Sequence, residues 1–395
     1  MGIISDLFTP THEGNLMKKK YIVTPGPVDV PPQVLLAMAQ PIIHHRSPEY
    51  TPIFKEVNEG LQYVFQTRNP VMTFSSSGSG AMESAVVNLL SPGDKMLAVV
   101  GGKFGERWAD IAKAYGLDPI VLEVEWGYAV KPEQIEAALQ KNPDIKAVYT
   151  TLCESSTGAV ADIKAIAEVV KKSKAVLVVD AISGLLTTPL KMDKWEIDVV
   201  VGGSQKALMT PPGLAFAAVS ERAVALSKES KLPKFYLSWQ KALKNLEKDT
   251  TPFTPAITTT FGLQAALKMI REEGIENVWK RHARLASAMR AGVKALGLQI
   301  YTKDFGPTLT AICAPEGIDG KAWLKVLRDK FGVTAAGGQG DVTGKIIRIA
   351  QMGYASTFDV TTALSAVELS LSDMGYKLNL GAGVKAALEY LEQNQ

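Results

Sequence analysis

Ala175-Val176-Leu177-Val178-Val179-Asp180 is a short, continuous apolar run, rich in β-branched residues, that ends on a carboxylate. Asp198-Val199-Val200-Val201-Gly202-Gly203-Ser204-Gln205-Lys206 repeats the form and leads into an amine. Runs this short, without polar alternation and bounded by turn residues, read as strands buried on both faces. Met96–Val100 and Ala147–Leu152 read the same way. Between such runs, Lys131–Gln140 and Ile163–Lys172 carry apolar residues at helical spacing. This β-α-β-α rhythm predicts an α/β chain built on a mostly parallel sheet with helices on both faces.

Past about residue 260 the pattern changes. A long helical region is expected over Thr260–Leu296, broken at Gly274, followed by strands at Thr308–Ala314 and Lys345–Ala350 and helices at Lys321–Lys330 and Thr361–Met374. That is the outline of a smaller α+β domain. A chain of 395 residues exceeds the usual size of one domain. The expected division is an N-terminal arm over 1–19, a large domain over 20–275 and a small C-terminal domain over 276–395.

Composition removes several classes of function. The 43 Lys and Arg nearly balance 40 Asp and Glu, a net charge of +3, so there is no field of the kind nucleic acid requires. The short run Lys18-Lys19-Lys20 reads as a solvated segment before the first strand. The two cysteines, Cys153 and Cys313, lie far apart in no metal-ligand spacing. They predict no disulfide framework, no metal site and a reducing, cytoplasmic setting. No run reaches the roughly 18 apolar residues of a membrane helix. The start, Met1-Gly2-Ile3-Ile4-Ser5-Asp6, has Asp where a myristoylation signal has Ser or Thr, and it lacks the layout of a secretory peptide.

In open α/β sheets the carboxyl ends of strands face the ligand crevice. Asp180 and Lys206 should therefore point at one site. Alone, the Asp is a helix cap or ion-pair partner and the Lys is surface. Together they suit pyridoxal 5′-phosphate, which needs an amine to form a Schiff base and an acid on its pyridine nitrogen. The carboxylate keeps that nitrogen protonated, and burial makes the amine more reactive by favouring its neutral form. Three further features bear on the pair. The strand Val71–Phe74 runs through Ser75-Ser76-Ser77-Gly78-Ser79-Gly80 into a helix beginning near Ala81, either a plain turn or a helix N-terminus that holds a phosphate. It matches neither a dinucleotide fingerprint nor a Walker loop. Phe104, between glycines in Gly101-Gly102-Lys103-Phe104-Gly105, is the candidate to stack on the pyridine ring, whereas Trp108 reads as helix packing. Arg348, within Ile346-Ile347-Arg348-Ile349-Ala350, either closes a buried ion pair or holds a substrate carboxylate in its planar fork.

Thr24-Pro25-Gly26-Pro27, Gly60–Asn69, Ser77-Gly78-Ser79-Gly80, Glu154-Ser155-Ser156-Thr157-Gly158, Val179-Asp180 and Gly203–Leu208 with Pro211-Pro212-Gly213 together resemble class V aminotransferases, the alanine–glyoxylate and serine–pyruvate branch above all. The resemblance runs in order from about residue 21 to 370. It implies the fold type I of pyridoxal-phosphate enzymes and a homodimer whose sites are completed by the second subunit. The substrates implied are a small amino acid, alanine or serine, and a 2-oxo acid such as glyoxylate or pyruvate. Position by position, it implies Lys206 as the Schiff-base lysine and Asp180 as the partner of the pyridine nitrogen. Ser79, Gly80 and Gln205 fall at cofactor phosphate contacts, Ala81 at a further cofactor contact, Phe104 at the ring-stacking position and Ser155 beside the 3-hydroxyl. Arg348 and Gly26 fall at substrate contacts. Thr254 falls in a segment that reaches the neighbouring subunit's phosphate, while Thr251 stands where the mammalian branch has Tyr. The stretch His44-His45-Arg46-Ser47-Pro48-Glu49 departs from that branch where the substrate entrance forms.

Aspartate or phosphoserine transamination and cysteine desulfuration are the neighbouring activities on this fold. A desulfurase needs a nucleophilic cysteine on a mobile loop, whereas Cys313 sits in the apolar run Leu309–Ala314 and reads as a buried, inert thiol. A member that keeps the fold only to bind a partner is the reading from another class.

Overall fold

The computed structural model describes residues 18–394. A seven-stranded sheet forms the centre of the large part. Its spatial order is Val71–Phe74, Ala215–Val219, Val199–Gly203, Val176–Asp180, Ile145–Thr151, Lys95–Val100 and Ile120–Glu123. Ala215–Val219 is antiparallel to both neighbours, and the other pairings are parallel.

Apolar residues fill both faces because side chains alternate along each strand. Leu177 and Val179 join a cluster with Val148, Val200 and Phe216 on one face. Val176 and Val178 join Tyr149, Val199 and Val201 on the other, against Ala81, Met82 and Trp108. The helices Gly78–Leu89 and Lys103–Ala114 therefore cover the face toward which Asp180, in step with Val176 and Val178, is directed. Trp108 is fully buried, its ring 4.9 Å from that of Tyr149.

The C-terminal part has its own core around Trp323, Ile347, Leu364 and Met289. Its antiparallel sheet joins Leu309–Cys313, Ile346–Ala350 and Ala336–Gly337. The long helical region divides where expected, into Ile257–Glu273 and Ile275–Ala295 about Gly274, whose φ of 82° ends the first helix. The second helix serves both cores: Ile275, Val278 and Trp279 pack with the large sheet, and Leu285 to Val293 with the small one. Tyr21–Ile22 belongs by pairing to the C-terminal part, because it runs parallel to Val333–Thr334. Of the expected N-terminal arm, all but its last two residues lie outside the described residues.

Candidate active site

Asp180 ends its strand at 3 % exposure, and its Oδ1 accepts from the Ile182 amide at 2.8 Å. Burial pushes its carboxyl up to about 7, outweighing the nearby Lys206 and Arg107 cations. Lys206 follows the neighbouring strand at 9 % exposure and donates to the Pro25 carbonyl. Burial lowers its amine to about 8 in spite of Asp180. Gly26 lies directly on the amine. A Cβ there would stand 2.5 Å from Nζ, and its φ of +116° is open to glycine and strained for other residues.

The Ser75–Gly80 turn opens the helix Gly78–Leu89 with extended backbone at Ser77, whose side chain makes no capping bond. The first N–H groups thus lack the usual side-chain acceptor, which leaves a site suited to an anion. The turn is tight: a Cβ on Gly78 would meet Ile182 at 2.5 Å, and one on Gly80 would meet Ser76 Oγ at 2.5 Å. Ala81 is buried behind it. Arg107 Nη1 donates to Ser79 Oγ at 3.1 Å, and its guanidinium lies 4.8 Å from the centre of the Phe104 ring. The buried amide oxygen of Gln205 has no partner among the described residues. A bound polar group would close such a gap.

Phe104 is held by its backbone. Its amide donates to Glu154 Oε2 at 3.0 Å, and the Gly105 amide donates to the same oxygen at 2.9 Å. Ser155, buried next to Glu154, offers its carbonyl to Arg348 Nη1. Arg348 Nε donates to the Gly337 carbonyl at 2.8 Å. At 5 % exposure its guanidinium meets carbonyls but no carboxylate within ion-pair distance among the described residues, and burial lowers it to about 10. Of the two readings of Arg348, the structural ion pair is therefore the one this geometry does not contain. An arginine desolvated this far favours an incoming anion.

The structure brings Gly26, Ser79, Gly80, Ala81, Phe104, Ser155, Asp180, Gln205, Lys206 and Arg348 to one end of the sheet. Thr254 is apart: it is exposed, on a loop fixed by the Ala256 amide donating to Ser75 Oγ at 2.9 Å. Thr251 turns back on its own loop, with Oγ1 donating to the Phe253 carbonyl at 2.7 Å. Cys313 is half-buried at the end of its strand rather than enclosed, because it packs at the margin of a small cluster of Leu309, Ala311, Val342 and Ile346. Two residues of the site were not singled out from sequence, Glu154 and Arg107. The signal for Glu154 was a charge among hydroxyls and apolar residues in Cys153-Glu154-Ser155-Ser156; Arg107 sits in an ordinary helical pattern and gave none.

These residues fit pyridoxal phosphate: a buried amine, a buried acid near it, a helix N-terminus beside an arginine, and an aromatic ring in the first turn of the helix Lys103–Ala114. The model of the family described as aminotransferase class-V matches residues 23–361. The small subunit of a soluble hydrogenase from Synechococcus sp. is 40 % identical over 95 % of this chain and 99 % of its own. Serine–glyoxylate aminotransferase of Methylorubrum extorquens is 36 % identical over 95 % of this chain and 97 % of its own. The crystal structure of ureidoglycine–glyoxylate aminotransferase from Bacillus subtilis matches with a TM-score of 0.91 at 32 % identity, over 95 % of this chain and 99 % of that one.

Proposed function

Because the chain belongs to the class V aminotransferases and is a pyridoxal-phosphate-dependent transaminase, we propose that it moves the amino group of a small amino acid, alanine or serine, to a 2-oxo acid such as glyoxylate or pyruvate. The observation that carries the reading is the buried Lys206–Asp180 pair at the ends of adjoining strands, with Arg348 nearby and in an ion pair with none of the described carboxylates. Glyoxylate in the names of one relative and one structural neighbour supports the acceptor.

Bound here, pyridoxal phosphate supplies an electrophilic carbonyl carbon for amines and a ring that takes up the electron pair released at the substrate's α-carbon. Lys206 would hold the group covalently, and its amine, when free, would carry the proton from the substrate's α-carbon. An amine lowered to about 8 is partly neutral near pH 7.5 and can accept that proton. Asp180, ionised, holds the proton on the pyridine nitrogen. Arg348 grips the substrate carboxylate, and its two carbonyl contacts fix the direction of the fork. Ser79, Gly80 and Gln205 would hold the phosphate with Ala81 beside them, and Arg107 would add positive charge through Ser79. Phe104 would cover the ring, Ser155 would serve its 3-hydroxyl, and Gly26 leaves room at the amine for substrate.

The same reading makes the protein a homodimer in which Thr254 donates to the phosphate of the other subunit. Its exposure supports this, as does the partly exposed aromatic group of Phe235 and Tyr236 packed on Phe253 next to it. Unpaired Cys153 and Cys313 suit a cytoplasmic setting. Initial rates for alanine, serine and aspartate against glyoxylate and pyruvate test the substrate assignment. Turnover with alanine or serine and glyoxylate or pyruvate is expected. Turnover confined to aspartate would overturn the choice of donor.

A further inference from the structure

Glu154 lies at 6 % exposure between the two groups assigned above to the cofactor ring and the substrate carboxylate. Its Oε2 accepts from the amides of Phe104 and Gly105, and its Oε1 accepts from the Ser156 amide at 3.1 Å and Ser156 Oγ at 2.5 Å. All four contacts are donors to it and favour the ionised carboxylate, working against the burial that raises its pKa. The amides of Phe104 and Gly105 also open the helix Lys103–Ala114, whose N-terminal dipole favours a negative charge there. Gly102 makes the approach possible: a Cβ on it would stand 2.6 Å from Glu154 Cδ and 2.4 Å from Ser156 Oγ. Ser156 Oγ in turn accepts from the Lys103 amide at 3.1 Å. The segment held this way carries the Ser155 carbonyl that receives Arg348.

We propose that Glu154 is a positioning residue that ties the Phe104 turn to the Ser155 segment, and so holds the ring-covering side chain and the carboxylate-binding arginine in one frame. The inference rests on the roles given to Phe104 and Arg348 under the proposed function. It differs from a plain loop anchor in its consequence, because one carboxylate then governs two separate affinities.

Glu154→Gln sets an NH2 group against two donors, and Ser156→Ala removes one donor while leaving the carboxylate. Three constants are measured for the full-length protein and both variants. They are the dissociation constant of pyridoxal phosphate by calorimetric titration of the cofactor-stripped chain, the inhibition constant of propionate, and the melting temperature. Glu154→Gln should weaken both cofactor and propionate by about tenfold, the equivalent of one charge-assisted hydrogen bond. Ser156→Ala should weaken both in the same direction by less. A fall in melting temperature with both constants within twofold of wild type overturns the proposal, and so does a change in one constant alone. If Glu154→Gln does not fold, Ser156→Ala decides by the same criteria. Arg348→Lys serves as the control: if it leaves propionate unchanged, the assignment of Arg348 itself fails. If it weakens propionate and the Glu154 and Ser156 variants do not, the fault lies with the positioning role.

Discussion

Replacing Asp180 with asparagine should make the cofactor-free chain more stable and the enzyme slower. Burial holds the Asp180 carboxyl at about 7 in the folded chain, well above its ordinary value of 3.8. A folded pKa above the unfolded one means that the folded state holds the proton more tightly. The stability this gives is complete below about pH 4, declines as the pH rises toward 7, and is gone above it. At about 1.4 kcal/mol for each pH unit between the two values, ionising the buried carboxyl costs about 4 kcal/mol. That is a ceiling for the gain in the variant, because Lys206 loses the neighbour that favours its charged form. Asparagine keeps an oxygen for the Ile182 amide. Denaturant unfolding of the cofactor-free wild type and variant between pH 5 and 8 should therefore show a gap that opens in favour of Asp180→Asn as the pH rises. With cofactor bound, kcat should fall by about ten- to a hundredfold, the equivalent of one charge-assisted bond to the ring nitrogen. A stability gap that does not change with pH, or a variant that turns over at the wild-type rate, would refute the reasoning.

Lys206→Ala should abolish transamination and the absorbance of the lysine-bound cofactor while leaving far-ultraviolet circular dichroism intact; near-normal turnover would remove the central assignment. Arg348→Lys should raise KM for amino and 2-oxo acids by about tenfold or more, since a point charge cannot reproduce the two-pronged fork. Unchanged KM and kcat would return Arg348 to a structural role. Thr254→Val should weaken cofactor binding by about 1–3 kcal/mol, one hydrogen bond to a charged group. Dilution of the wild type to monomer should release cofactor as well, and sedimentation read together with absorbance checks both. A stable monomer with full cofactor content would end the shared-site reading.

The central strands were legible because burial on both faces leaves an unbroken apolar run, as in Val176–Val179 and Val199–Val201. Their ends were legible for the opposite reason: a charge set against such a run, Asp180 or Lys206, has to be explained by a site. The edge strand Ile120–Glu123 carried a weaker signal, because alternate residues such as Val121 face solvent. Tyr21–Ile22 has only two paired residues, and the C-terminal helix Ala382–Gln393 completes a core made largely of distant elements. In the site, Glu154 escaped notice because its function depends on four donors brought together by the fold, two of them some fifty positions away. Arg348 could be seen as an oddity in its strand, but only the structure shows that no carboxylate among the described residues answers it. The role given to Thr254 rests on resemblance alone, since the described residues leave it apart from Lys206.

The pairing of Tyr21–Ile22 with Val333–Thr334 bears on how the protein is made. The strand is fixed further by the Val23 amide donating to the Thr334 carbonyl at 2.9 Å and the Ala350 amide donating to the Val23 carbonyl at 2.8 Å. From Val23 the chain runs straight into Pro25 and Gly26, which lie on the Lys206 amine. On the ribosome, every strand of the central sheet emerges well before Val333 and Ala350 do, and domains tend to fold as they emerge. The segment Tyr21–Val23 thus waits for a part of the chain made some three hundred residues later before it has a berth. The lysine pocket acquires its roof only once Val333 and Ala350 have emerged. Capture of the cofactor on this account follows the synthesis of that part, and a nascent chain stalled before residue 333 would carry the sheet and the lysine without a finished pocket.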